Sequence, residues 1–173
     1  TLRRGEIAFN FSGVQKTEQE VARMAITNPD NLTFDELMYA ASLTHNYASK
    51  LQIYTAATER FASEWAGWNN AGAIALYLNQ LEDSKRFLET ADKLSPNNGM
   101  VLANLSLMAL AYKDVELADH YVQRAIEAGN EQAEMNQAII LIKQARYEEA
   151  AEQLDGRKCT YNLALLQLLT GNT

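Results

Sequence analysis

From about residue 17 onward, apolar residues recur at three- and four-residue steps, the spacing that puts one face of a helix against a core. Val21, Met24 and Ala25 open this pattern behind Thr17-x-x-Glu20, a capping sequence, and Asn28-Pro29-Asp30 closes it. A stronger start follows. Thr33-Phe-Asp-Glu36 is a capping box, and Leu32 and Leu37 flank it at hydrophobic-staple positions. The Thr33 hydroxyl is expected to accept from the Glu36 amide, while the Glu36 carboxylate accepts from the Thr33 amide. Residues 5–14 behave differently. Ile7, Phe9 and Phe11 alternate with Glu6, Ala8 and Asn10, a period of two that predicts a short strand.

Beyond residue 60 the pattern repeats as well as alternates. Asn70, Asn104 and Asn136 sit in the comparable segments Trp68–Gly72, Leu102–Ser106 and Glu134–Ala138, 34 and then 32 residues apart, and Asn162 follows 26 residues later. Small residues recur about fourteen positions on, at Ser84, Ala118 and Ala150, each followed by an apolar residue at Leu88, Val122 or Leu154. Ala91 and Ala125 complete the register. Helices that cross closely need a position with little side chain at the contact, so these spacings predict paired helices stacked in series.

In these residues the sequence resembles the tetratricopeptide repeat, a 34-residue helix–turn–helix. Trp68, Gly72, Ala91 and Pro96 stand at the family's Trp, small, Ala and Pro positions, with Ser84 where Ala is usual. Leu105, Ala118 and Ala125 continue the register, although Ser106 replaces Gly and Asn130 replaces Pro. The next unit keeps Ala138, Tyr147 and Ala150, and Asp155-Gly156 shortens its second helix. The first unit is the most divergent: Phe34, Leu37, Tyr54 and Ala57 fit, but Met38 falls where a small residue is expected. The resemblance implies an all-α, right-handed solenoid with units at about 31–64, 65–98, 99–130 and 131–156. A lead-in segment would occupy 1–30 and a final single helix 157–173. The order of segments, with Leu2-Arg3-Arg4 and then Asn28-Pro29 ahead of the repeats, is also similar to larger bacterial cell-envelope proteins. That likeness implies a periplasmic or outer-membrane-associated setting, and a chain cut from a longer one.

Composition agrees with the helical reading. The 173 residues include only two prolines, and 26 Ala and 22 Leu outnumber 13 Val plus Ile. A formal charge of −7 provides no basic field for nucleic acid. Uninterrupted apolar runs such as Ala138 to Ile142 fall far short of the about 20 residues that span a bilayer. One cysteine, Cys159, cannot form a disulfide within the chain and reads as a free structural thiol.

Signs of catalysis are weak. His45 and His120 are 75 residues apart with no metal-spaced companion, and no phosphate-binding glycine loop or nucleophile elbow occurs. Glu148-Glu149 beside Arg146 reads as a solvated helix start. The expectation is a non-enzymatic chain without cofactor or metal.

The asparagines carry the one constellation with a binding mechanism. The tetratricopeptide resemblance implies a concave face lined by the first helix of each unit, on which asparagine can grip the backbone of an extended peptide. A carboxamide both donates and accepts, as a peptide unit does. Asn70, Asn104, Asn136 and Asn162 would be the rungs. Asn69, Ala73, Leu76 and Tyr77, then Met100, Ala103, Leu107 and Leu110, then Met135, Ile139 and Ile142 would line the groove. Tyr77, Leu107 and Ile139 are its principal apolar contacts. The same asparagines would serve equally to hold a neighbouring helix, and periodicity gives buried and binding stripes the same spacing. The groove lacks the Lys and Arg that hold an acidic chain end; its apolar lining and methionines suit an apolar extended segment or an amphipathic helix. The expected role is a protein or peptide interaction scaffold. The alternative is a spacer or assembly segment of an envelope protein, its groove filled from within or by self-association through the C-terminal helix with Leu165, Leu166, Leu168 and Leu169.

Overall fold

A computed structural model of the chain describes residues 16–154. The strand expected at 5–14, Cys159, Asn162 and the final helix lie outside the described residues. Helix α1 (Glu18–Thr27) and a 3-10 turn (Pro29–Asn31) lead into four helix pairs. These are α2 (Phe34–Leu43) with α3 (Tyr47–Arg60), and α4 (Trp65–Tyr77) with α5 (Leu81–Leu94). Next come α6 (Gly99–Ala111) with α7 (Val115–Glu127), and α8 (Ala133–Lys143) with α9 (Tyr147–Leu154).

Local chemistry sets the helix starts. At α1 the Thr17 hydroxyl accepts from the Glu20 amide at 3.3 Å, and the Thr17 amide donates to Glu20 at 2.8 Å. The second capping box has the same geometry: 3.2 Å from the Glu36 amide to Thr33 Oγ1, and 2.8 Å from the Thr33 amide to Glu36. Leu32 and Leu37 are both buried in the cluster beneath it. Lys16 Nζ sits 3.0 Å from both Glu36 oxygens and donates to the Asn31 carbonyl at 2.9 Å. Burial alone would raise the Glu36 pKa. The Thr33 amide and the Lys16 ammonium outweigh it and hold the carboxyl below its usual value. Arg60, from the end of α3, donates to the carbonyls of Pro29, Leu32 and Asp30 at 2.5–2.6 Å. One guanidinium thus fastens the turn between α1 and α2 to the first pair.

The first helices of the last three pairs end alike. Asn79, Lys113 and Ala145 have φ of 58°, 64° and 59°, the left-handed region. Their amides bond back to Leu76, Leu110 and Ile142 at 2.9–3.1 Å, and the following amides bond to Ala75, Ala109 and Leu141 at 2.8–3.0 Å. This is the Schellman closure, repeated at 34- and 32-residue intervals like the asparagines. It reverses the chain so that each second helix lies back against its first.

Within each pair the helices approach at their small residues. Ser84, Ala118 and Ala150 are fully buried, as are Leu88, Val122, Ala91 and Ala125, and Leu154 is 2% exposed. At Gly72 a Cβ would lie 2.6 Å from Leu88 Cγ, and the Gly72 carbonyl accepts from Ser84 Oγ at 2.9 Å. No larger residue fits that crossing without displacing Leu88. In α2 the fully buried small residues are Ala40 and Ala41, whereas Met38 is half-buried. The small-residue position of the first unit therefore lies two to three residues later than the spacing from Phe34 suggests. Ala41 is the eighth residue of α2, as Gly72 is of α4 and Ser106 of α6, so Phe34 stands level with Trp65 rather than with Trp68.

The pairs pack in series, each second helix also touching the next first helix. First helices touch one another as well, α4 on α6 and α6 on α8. Second helices make no contact of comparable extent among the described residues. Elements that approach more closely lie on the inside of a curved stack, so α4, α6 and α8 form the inner layer and α5, α7 and α9 the outer.

Candidate functional site

The inner layer is almost without charge. Helices α4 and α6 contain no Asp, Glu, Lys or Arg, and α8 has Glu134 and Lys143 near its ends. Helix α5 carries seven charged residues and α7 four. The uncharged surface is nonetheless not fully covered. Tyr77 is 66% and Met100 54% exposed, the two most open large apolar residues among those described. Ala73, Leu76, Leu107, Leu110, Met135 and Ile139 are half-buried. Asn69 and Ala103 are buried at the seams with the next first helix, and Ile142 is buried in the cluster between α8 and α9, so the open strip is narrower than helical spacing alone indicates.

Tyr77 stacks on Tyr47, the first residue of α3, with ring centroids 4.0 Å apart and planes at 29°. Tyr47 was not among the residues singled out by repeat spacing. It belongs to the second helix of the divergent first unit, and no register places it beside the end of α4. The two rings form an exposed aromatic step at one edge of the inner face.

The asparagines occupy the seams between inner helices. Asn104 Nδ2 donates to Asn69 Oδ1 at 2.9 Å, joining α6 to α4. Asn69 Nδ2 lies 3.5 Å from Asn70 Oδ1, and Asn70 Nδ2 lies 3.6 Å from the Met38 sulfur on α2. Asn136 Nδ2 donates to the Ala103 carbonyl at 3.0 Å and to Ser106 Oγ at 3.3 Å, joining α8 to α6. Every contact between helices runs from a later asparagine to an earlier repeat. Ser106, which sequence reading noted only as a replacement for glycine, is a partner in this network and is fully buried. The carboxamides of Asn70, Asn104 and Asn136 are half-buried, shared between the seam and the surface.

The remaining candidates are dispersed. His45 is exposed between α2 and α3, and His120 is exposed on α7. Arg146 pairs with Glu149 at the start of α9, 2.5 Å apart, so this carboxylate is held below its usual range by the guanidinium. No group of three or more His, Cys, Asp or Glu gathers among the described residues in a way that could hold a metal ion. No described helix is long and apolar enough to cross a membrane.

No protein-family model and no curated protein matches the chain. Solved structures do. YrrB, described as a TPR protein with an unusual peptide-binding site, superposes with a TM-score of 0.60 at 19% identity, over 90% of this chain and 86% of that one. A double mutant described as MamA RS-1 ArsTM superposes with a TM-score of 0.62 at 13% identity, over the same shares of the two chains. With helix pairs packed in series and small residues at each crossing, these likenesses show the fold to be that of the tetratricopeptide repeat: an all-α solenoid of helix–turn–helix units.

Proposed function

We propose that the chain is a non-enzymatic interaction module whose inner face holds a peptide or protein segment. The observation that carries this reading is the uncharged strip on α4, α6 and α8, open at Tyr77, Met100, Leu107 and Ile139 and edged by Asn70, Asn104 and Asn136. Inner helices of a packed array have every reason to be covered, so residues left open there are available to a partner. The peptide-binding site named for YrrB, a protein of the same fold, is consistent with it. Asn162, at the next repeat position, would extend the row. An outer-face partner would instead meet the charged surface of α5 and α7.

The test uses paired variants. Met100→Ala with Leu107→Ala opens little new space, because Met100 is already 54% exposed. It is expected to weaken a peptide selected on the intact chain by about tenfold or more, with the melting temperature nearly unchanged. The outer pair Leu94→Ala with Leu117→Ala, at 40% and 37% exposure, is expected to leave affinity unchanged. Equal losses from both pairs would refute an inner-face site. A self-associating chain whose mass falls on inner-face substitution would favour the assembly-segment reading.

A further inference from the structure

Asn98–Gly99 is the only Asn–Gly pair in the chain, and two separate demands place it at the start of α6. Asn98 is the N-cap: its Oδ1 accepts from the Met100 amide at 3.0 Å, and its Nδ2 donates to Ser95 Oγ at 3.2 Å. Gly99 stands where the end of α7 and Asn130 press close. A Cβ there would lie 2.9 Å from Asn130 Cβ and 3.3 Å from both the Ala125 carbonyl oxygen and Ala128 Cβ. Capping thus calls for a short polar side chain and packing for glycine, and together they make a pair that can cyclise. With no side chain on Gly99 to hinder it, the Gly99 nitrogen bonds to Asn98 Cγ and gives up its proton, and the carboxamide nitrogen takes up a proton and leaves as ammonia. Water then opens the cyclic imide at either carbonyl. One opening gives aspartate; the other gives isoaspartate, with the main chain rerouted through the former side chain.

The folded start of α6 opposes closure. As the first residue of the helix, Gly99 has no intrahelical partner for its N–H, so that nitrogen is withheld by geometry. Ring formation swings it beneath Asn98 Cβ, which for an L-residue needs ψ in the negative range, whereas Asn98 holds ψ of 117°. The Asn98 carbonyl accepts from the Leu102 amide at 2.9 Å, and rotating ψ carries it away from that partner. Closure therefore requires the first turn to open, and helix ends are where local opening costs least. We propose that Asn98 is a deamidation site gated by the first turn of α6, with two products of opposite consequence. Aspartate caps a helix as well as asparagine does, and its charge suits a helix N-terminus. Isoaspartate lengthens the main chain by one methylene between the cap and Gly99, where Asn130 and Ala128 leave no room for it. The first route keeps α6 seated in the inner layer, and the second unseats it.

The test is ageing of the full chain in warm, mildly alkaline buffer, followed by digestion and mass spectrometry, with the tryptic peptide 94–113 as the opened reference. Asn98 is expected to convert before any other asparagine, yet at least about tenfold more slowly in the folded chain than in the peptide. Ser95→Ala frees Nδ2 and should speed conversion in the folded chain about two- to fivefold, while the corresponding peptide keeps its rate. Asn98→Asp is expected to hold the melting temperature within about 2 °C of the original. Aged protein should melt lower in proportion to its isoaspartate, measured by isoaspartyl methyltransferase labelling. Equal rates in chain and peptide would overturn the gate. A folded chain that stays unconverted even as Ser95→Ala, or that converts first at another asparagine, would overturn the site. An Asn98→Asp protein that melts as low as the isoaspartate form would overturn the division between the products.

Discussion

Helices α6 and α7 belong to one repeat, have 13 residues each and pack along their length, yet they solve different problems. Helix α7 buries three residues, Ala118, Val122 and Ala125, at helical spacing, and turns Glu116, Leu117, His120 and Glu127 to solvent. Helix α6 buries seven and carries no charge. It touches its own partner, the preceding second helix and the inner helices on both sides, so contacts come from most directions. An outer helix is ordinary amphipathic surface. What stays open on an inner helix is a narrow strip left between neighbours, the strip that we propose holds a partner.

The largest effect that tests this contrast is a truncation in each layer. Leu102→Ala in α6, at a fully buried site, is expected to cost about 2–5 kcal/mol, whereas Leu117→Ala in α7 should cost less than about 1 kcal/mol. Urea titration of both variants measures the difference, and equal costs would mean that the layers are not distinct. Next comes the crossing between layers. Gly72→Ala forces a methyl to within 2.6 Å of Leu88 Cγ and is expected to lose about 1–3 kcal/mol, read from the same titration. A Gly72→Ala protein as stable as the original would place the α4–α5 approach wider than described.

A gain is expected at the reversal between α8 and α9. Ala145 holds φ of 59°, a conformation that costs an L-residue about 1–2 kcal/mol. Ala145→Gly should stabilise the chain by roughly 0.5–1 kcal/mol, after its greater freedom in the unfolded state is set against that relief. A lower melting temperature would contradict the shared Schellman closure. The smallest effect concerns Glu36. Its folded pKa lies below the 4.5 of the free group, so the unfolded chain takes up the proton first as pH falls. Its contribution is therefore present above about pH 4.5 and is lost as pH drops through the lower folded value. Glu36→Gln should reduce stability at neutral pH and shrink the loss on acidification; an unchanged acid profile would count against the Lys16–Glu36–Thr33 arrangement.

Sequence pattern made the array legible because close helix crossings admit few residues. Ser84, Ala91, Ala118, Ala125 and Ala150 could be located from spacing, and all are fully buried. The capping boxes were equally readable, since Thr17–Glu20 and Thr33–Glu36 act within one turn. The first unit was less so, because Phe34 begins α2 as Trp65 begins α4, and counting it as the counterpart of Trp68 put the small position at Met38 in place of Ala41. Spacing could not divide the inner helices into covered and open strips. Ala103 and Leu107 lie one turn apart on the same face, yet Ala103 is buried beside Asn136 and Leu107 is half open. Nor could it show which way a carboxamide turns, a choice made by Ser106 and the Ala103 carbonyl from another helix.

The central claim is that partners are held by the inner layer, and methyl-resolved NMR with a selected peptide tests it most directly. The account predicts that the methyl signals of Met100, Leu107, Leu110 and Ile139 shift on titration while those of Leu94 and Leu117 do not. Shifts confined to Leu94 and Leu117 would place the partner on the outer helices and contradict it.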